Sequence, residues 1–218
     1  MVHGMDSRWL VLATCLAGAL PAAAAPGSIS GTVTLAGGSD RLAVVYVEKG
    51  PEAPAKAAPS EKEMAQQDTE FRPAAIWVRA GDSVKFFNRD NFYHNVFSPT
   101  SGNDFDLGLY RGGVGKSVEL THPGEIDVYC NIHPNMKAKV LVVPDGRAAE
   151  IARDGTYTLS GLAAGDYTLV AWSGLHDPVR RDVHVRAGET ARADFALKPR
   201  TAAAAHLNKN GEQYGRYR

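Results

Sequence analysis

The chain of 218 residues contains only two cysteines, and one of them, Cys15, lies in an N-terminal apolar stretch. With that stretch removed on export, Cys130 has no partner within the chain, which excludes a disulfide framework. Charge of one sign is also missing. The 24 basic and 24 acidic residues cancel to a formal net charge of zero, removing any bulk electrostatic drive toward nucleic acid or an anionic membrane surface. Beyond residue 25 no run is apolar enough to span a bilayer. Helical periodicity is absent over any useful length, and no nucleophile stands beside a matched base. Asp82, Asp90, Asp104 and Asp106 read as turn residues rather than as a catalytic carboxylate pair. A non-enzymatic protein is expected.

What is present begins with a leader at 1–25. Arg8 precedes an apolar run, Trp9–Leu20, that is too short to cross a membrane. Pro21-Ala22-Ala23-Ala24-Ala25 then supplies the small residues of a processing site, with cleavage expected after Ala24. Leu12-Ala13-Thr14-Cys15 is a poor match to a lipoprotein box. These features predict a periplasmic or secreted protein with a cleavable signal peptide.

The rest reads as strand and turn, so the predicted class is all-β. Residues 26–49 hold two strands: one alternates through Ile29, Val33 and Leu35, and the other, Leu42–Val47, is continuously apolar, as a strand buried on both faces would be. Residues 50–70, rich in Pro, Ala, Lys, Glu and Gln, read as a linker with room for one short helix. Strands are predicted at 75–78, 84–87, 93–97, 118–120, 126–129 and 138–143, with a long loop at 99–115. A second unit, 145–198, follows Pro144-Asp145-Gly146, and the tail 199–218 is expected to be disordered.

One short segment carries chemistry. Cys130-Asn131-Ile132-His133-Pro134-Asn135-Met136 places a thiolate, an imidazole and a thioether within seven residues, and His94 lies on a strand 36 residues earlier. Two nitrogens, one soft sulfur and one weak sulfur form the ligand set of a mononuclear copper electron-transfer site. A turn after a strand curls Cys130, His133 and Met136 toward one point, and His94 brings in a second strand. The remaining histidines are scattered and form no His-x-His pair, so a second copper centre of the multicopper oxidase or nitrite reductase type is excluded.

Residues 65–144 resemble a cupredoxin of the plastocyanin, pseudoazurin and amicyanin kind. The resemblance is carried by Phe71-x-Pro73, Val78-x-x-Gly81-Asp82-x-Val84-x-Phe86-x-Asn88, His94-Asn95-Val96, Phe105-Asp106, Pro123-Gly124 and, most strongly, Tyr129–Met136. It implies a Greek-key β-sandwich over 71–144 and one type 1 copper per chain, ligated by His94, Cys130, His133 and Met136. Two residues separate His133 from Met136, similar to the short loop of amicyanins. The resemblance further implies that Asn95 hydrogen-bonds to the ligand loop and that Tyr129 lies on an electron route. His133, flanked by Ile132 and Pro134, then sits where a protein redox partner docks.

Residues 150–198 resemble a carboxypeptidase regulatory-like (transthyretin-like) β-sandwich, through Asp154-Gly155-x-Tyr157-x-Leu159-x-Gly161-Leu162-x-x-Gly165-Asp166-Tyr167-x-Leu169, Ala187-Gly188-Glu189-Thr190 and Phe195-x-Leu197. The strands of 26–49 fit either this sandwich or the cupredoxin. The expected function is an exported blue copper electron carrier. Its rivals are a copper chaperone or storage protein, disfavoured because the chain has only four methionines, and a structural surface module with a vestigial site.

Overall fold

The computed structural model describes residues 25–38, 42–53, 57–201 and 206–214, and the leader expected at 1–25 falls almost wholly outside the described residues. Two strands come first: β1 (Gly27–Leu35) and β2 (Ala43–Lys49). Nine more follow: β3 (Glu61–Gln67), β4 (Glu70–Arg72), β5 (Ala75–Arg79), β6 (Asp82–Asn88), β7 (His94–Ser98), β8 (Phe105–Tyr110), β9 (Gly115–Leu120), β10 (Gly124–Cys130) and β11 (Lys137–Val143). The last group is β12 (Ala148–Glu150), β13 (Thr156–Leu162), β14 (Gly165–Ser173), β15 (His176–Val185), β16 (Thr190–Arg192) and β17 (Phe195–Leu197). The described residues contain no α-helix, so the fold is all-β.

Two sheets enclose each of two cores. The sheets β5-β11-β10-β7-β8 and β4-β3-β6-β9 sandwich Met64, Phe71, Val84, Phe86, Val96, Ile126, Val128, Val140 and their neighbours. The alternating pattern of β6 and β10 does this: every second side chain points inward, and the intervening ones reach the surface. The second pair of sheets, β13-β1-β16 with β17 beside β1 and β12-β2-β14-β15, encloses Ile29, Val45, Val47, Tyr157, Tyr167, Leu169 and Phe195. Both N-terminal strands pair here, β1 with β13 and β2 with β12 and β14. At Gly31 the chain of β1 passes so close to a neighbour that an added Cβ would lie 1.8 Å from the Ala193 carbonyl oxygen.

The continuous apolar run of β2 has a direct structural cause. Val45 and Val47 face the second core, while Val44 and Tyr46 point the other way. With Val170 and Trp172 they pack on Leu141 and Val143 of β11, joining the two sandwiches. A polar cluster seals that junction: the Trp172 indole N–H donates to Glu125 at 2.5 Å, and Lys139 and Arg200 also bind this carboxylate. Those donors outweigh the effect of burial and hold the Glu125 carboxyl below the usual carboxylate range.

Three expectations are corrected. The stretch 50–70 is not only a linker: β3 lies inside it, paired in parallel with β6 and antiparallel with β4. Its ends, Glu61-Lys62-Glu63 and Gln67, are exposed or half-buried, and only Met64, Ala65 and Gln66 are buried, so no alternation is visible in the sequence. Gln66 accepts a hydrogen bond from the Tyr110 hydroxyl at 2.7 Å, which lets a polar side chain stay in the core. Residues 99–115 hold β8 rather than loop alone. The tail is not free either, since residues 206–214 pack on the first sandwich.

Candidate metal centre

The site sits at one end of the first sandwich, where β7 and β10 lie side by side in antiparallel register (Tyr129 opposite Phe97, Cys130 opposite Val96). His94 is the first residue of β7, and Cys130 is the last of β10. The chain then turns through 131–136 before entering β11. That turn is held by its own backbone: Met136 N–H donates to the His133 carbonyl at 3.0 Å, and Cys130 N–H donates to the Met136 carbonyl at 3.2 Å. Asn131 N–H donates to the Asn95 carbonyl at 2.8 Å, tying the turn to β7.

Three donor atoms converge. His94 Nδ1 lies 3.6 Å from Cys130 Sγ, His133 Nδ1 lies 3.5 Å from the same sulfur, and the two Nδ1 atoms are 3.1 Å apart. Donors each about 2.0–2.3 Å from one ion and spread by roughly 100–120° lie about 3.1–3.7 Å apart, so these separations fit a single cation. The tautomer argues likewise. His94 Nε2 lies 2.8 Å from the Asp90 carboxylate, which places the ring proton there and turns the Nδ1 lone pair toward the other donors. A thiol and two imidazole nitrogens at these separations can share protons with one another, and a metal ion would displace those protons. Met136, 1% exposed, is buried in the same cluster as Cys130.

The electrostatics match. Burial pushes the Cys130 thiol up, partly offset by the Asn95, Ile132 and His133 amides, so forming the thiolate calls for a cation. Burial, and then the neighbouring His94, lower the His133 imidazole and favour its neutral, ligating form. Asp90, half-buried, would be raised by burial of its carboxyl. Hydrogen bonds from His94 and from the Thr69 and Asp68 amides outweigh that and hold it below the usual range.

His94, Cys130 and His133 are thus brought together, and Met136 lies on the same turn. Asn95 reaches the turn differently from the expectation. Its backbone carbonyl and amide make the contacts, while its side-chain amide donates to Asp106 at 2.6 Å. Tyr129 lies outside the donor group, its ring 5.8 Å from that of Phe97 and stacked on His206 at 4.0 Å. Sequence reasoning missed Asp90 as the His94 partner; a carboxylate four residues before a candidate ligand histidine was the available signal. It also missed Phe92, whose ring lies 5.2 Å from His94 and 5.6 Å from His133.

A β-sandwich whose end carries a His–Cys–His donor cluster, with His94 and Cys130 buried and His133 half-buried, defines the class of metal-binding sandwich proteins. Residues 59–143 match the family described as copper binding proteins, plastocyanin/azurin family, and residues 133–198 match the carboxypeptidase regulatory-like domain. Amicyanin-alpha of Methylorubrum extorquens is 32% identical over 127 residues, 57% of this chain and 98% of the relative. Plastocyanin of Ulva prolifera is 33% identical over 81 residues, covering 33% of this chain and 83% of the relative. A solved purple cupredoxin from Nitrosopumilus maritimus is 20% identical, covering 37% of this chain and 97% of that one, with a TM-score of 0.33. The chain belongs to the plastocyanin/azurin family of copper binding proteins, with a carboxypeptidase regulatory-like domain fused to the copper-binding one.

Proposed function

We propose that the chain is an exported type 1 blue copper protein that carries single electrons between redox partners. The observation that supports it best is the convergence of His94 Nδ1, Cys130 Sγ and His133 Nδ1 within 4.8 Å of one another at the end of a rigid sandwich. One copper would be held by these three atoms with Met136 as the weak fourth ligand, and it would supply the Cu(I)/Cu(II) couple. The protein contributes donors fixed by two paired strands and a hydrogen-bonded turn, so that neither oxidation state requires them to move far. Asp90 keeps His94 in the ligating tautomer.

Docking is assigned to the His133 side. Phe92, Tyr93 and Leu109 are exposed at 40%, 56% and 60%, and Phe92 touches both ligand histidines. A large apolar ring left partly in water beside a half-buried ligand suits a partner protein that binds briefly and leaves. The proposed division assigns the strands of 59–143 to the copper carrier, and β1, β2 and 145–198 to a companion sandwich that places it. The leader-like composition of 1–25 supports export to the periplasm or beyond.

The test is spectroscopic. The purified chain with one equivalent of Cu(II) should show an intense visible thiolate-to-copper band, bleached by ascorbate and absent in Cys130→Ser. Colourless Cu(I) binding would instead favour a chaperone, and the absence of stoichiometric copper would overturn the metal reading.

A further inference from the structure

The segment 206–214 lies against the ligand turn and contacts it at three points. The Tyr214 hydroxyl donates to the Cys130 carbonyl at 2.8 Å. The Lys209 amide donates to Asn131 Oδ1 at 2.9 Å. His206 Nε2 lies 2.6 Å from the carbonyl of Pro134, 72 positions earlier. These acceptors bracket Cys130 and His133. The His206 ring also stacks on Tyr129, with ring centres 4.0 Å apart and planes 13° off parallel.

The segment has no strand or helix of its own, yet it is internally organised. Asn208 Oδ1 accepts from the Asn210 and Glu212 amides at 3.0 and 2.9 Å. That turn brings Tyr214 to 3.1 Å from His206 Nδ1, so the two rings reach the loop together. The Lys209 ammonium pairs with Asp106 at 2.6 Å, and this carboxylate also accepts from Asn95 of β7. One short stretch therefore touches the turn that bears three ligands and, through Asp106, the strand that bears the fourth. Further back along the chain, Arg200 is anchored on Glu125.

We propose that residues 206–214 form a strap that positions the ligand turn and covers the Tyr129 side of the site. Its effect on copper rests on the copper reading above; its docking does not. For copper to leave, the 131–136 turn must swing away from β7, and the strap opposes that movement by holding the Cys130 and Pro134 carbonyls and the Asn131 side chain. With the Tyr129 side covered, Phe92, partly exposed against both ligand histidines, is left open to a partner.

The experiment compares the full chain, Tyr214→Phe, His206→Phe and a chain ending at Thr201, with thermal midpoints of the metal-free proteins as the folding control. In metal-free protein, peptide-mapped nitration should find Tyr129 slow in the full chain and at least about fivefold faster in the shortened one. His206→Phe, which keeps the stacked ring, should restore most of the protection. Copper release to an excess of a Cu(I) chelator should rise about fivefold in Tyr214→Phe, the value of one net hydrogen bond, and further in the shortened chain. Equal Tyr129 reactivity in the full and shortened chains would overturn the docking, and protected Tyr129 with unchanged copper release would overturn the positioning. Failure of the full chain to bind copper would refute the copper reading and the strap's part in copper retention, while nitration, read without metal, still decides the docking.

Discussion

Replacing Asp90 with alanine removes three acceptor contacts at once: the Asp68 amide at 2.7 Å, the Thr69 amide at 3.1 Å and His94 Nε2 at 2.8 Å. The two amides belong to residues with φ of 56° and 59°, a left-handed conformation that non-glycine residues adopt reluctantly. Water can replace the carboxylate at that exposed turn, so those bonds count for about 0.5 kcal/mol each. The His94 bond is different: the His94 side chain is fully buried and that of Asp90 is 8% exposed, so losing this charged bond costs about 1.5–3 kcal/mol. The metal-free protein should thus lose about 2.5–4 kcal/mol in urea unfolding, with Asp90→Asn, which keeps one acceptor oxygen, losing about half as much. Copper affinity should fall about 10- to 100-fold as well, because nothing then fixes the His94 proton on Nε2. A metal-free stability within about 0.5 kcal/mol of the parent, together with an unchanged copper titration, would refute the assignment of Asp90 as the group that orients His94.

Other perturbations test the frame around the site. Buried Asp82 would be raised by desolvation, but Arg79 at 2.9 Å and the Arg79 and Ser60 amides bring it to about 2. A depressed carboxylate stabilises the fold above its unfolded value and loses that contribution as pH falls. Acid titration of stability should therefore show a loss of about 2 kcal/mol between about pH 4 and pH 2 that Asp82→Asn lacks. Trp172→Ala empties the junction between the sandwiches and removes the bond to Glu125, at a cost of about 3–5 kcal/mol, and calorimetry should then resolve two transitions where the parent has one. Gly31→Ala drives a methyl against the Ala193 carbonyl, 1.8 Å from the ideal Cβ position, and should cost about 3 kcal/mol by chemical denaturation.

The sequence was most legible where the period of two was clean. In β6 and β10 the buried and half-buried positions alternate, and both strands are evident from the residues alone. The ligand turn was legible for a different reason: cysteine, histidine and methionine at short spacing are rare together and chemically specific. In β3 the buried set is Met64, Ala65 and Gln66, three neighbours in a polar stretch, and only the parallel pairing with β6 reveals a strand. Asp90 looked like a turn former, which it also is, because its link to His94 crosses the bend of 90–94 rather than following a sheet or helix period. The strap was hidden for lack of any period, since its contacts are made by single residues across 72 to 103 positions of sequence. The partition of β1 and β2 was undecidable from the residues, because an apolar run such as Val44–Val47 says only that both faces are covered. It does not say by what.

The donor cluster is held by groups outside it, and that bears on how it works. Two imidazole nitrogens 3.1 Å apart, one of them a lone pair by virtue of its Asp90-bound proton, can share one N–H···N hydrogen bond, and a buried thiol sits beside them. Here β7 and β10 are paired at Cys130 and Val96, the turn is closed by its own amides, and Asp90 fixes one ring. A fold that holds donors in place before the ion arrives also holds them while the charge of the ion changes. Each of the holding contacts lies outside the donor atoms themselves. Substitutions at Asp90 or in the segment 206–214 should therefore alter copper retention while leaving the donor set, and hence the type of visible band, intact. A substitution at Cys130 should instead abolish the band.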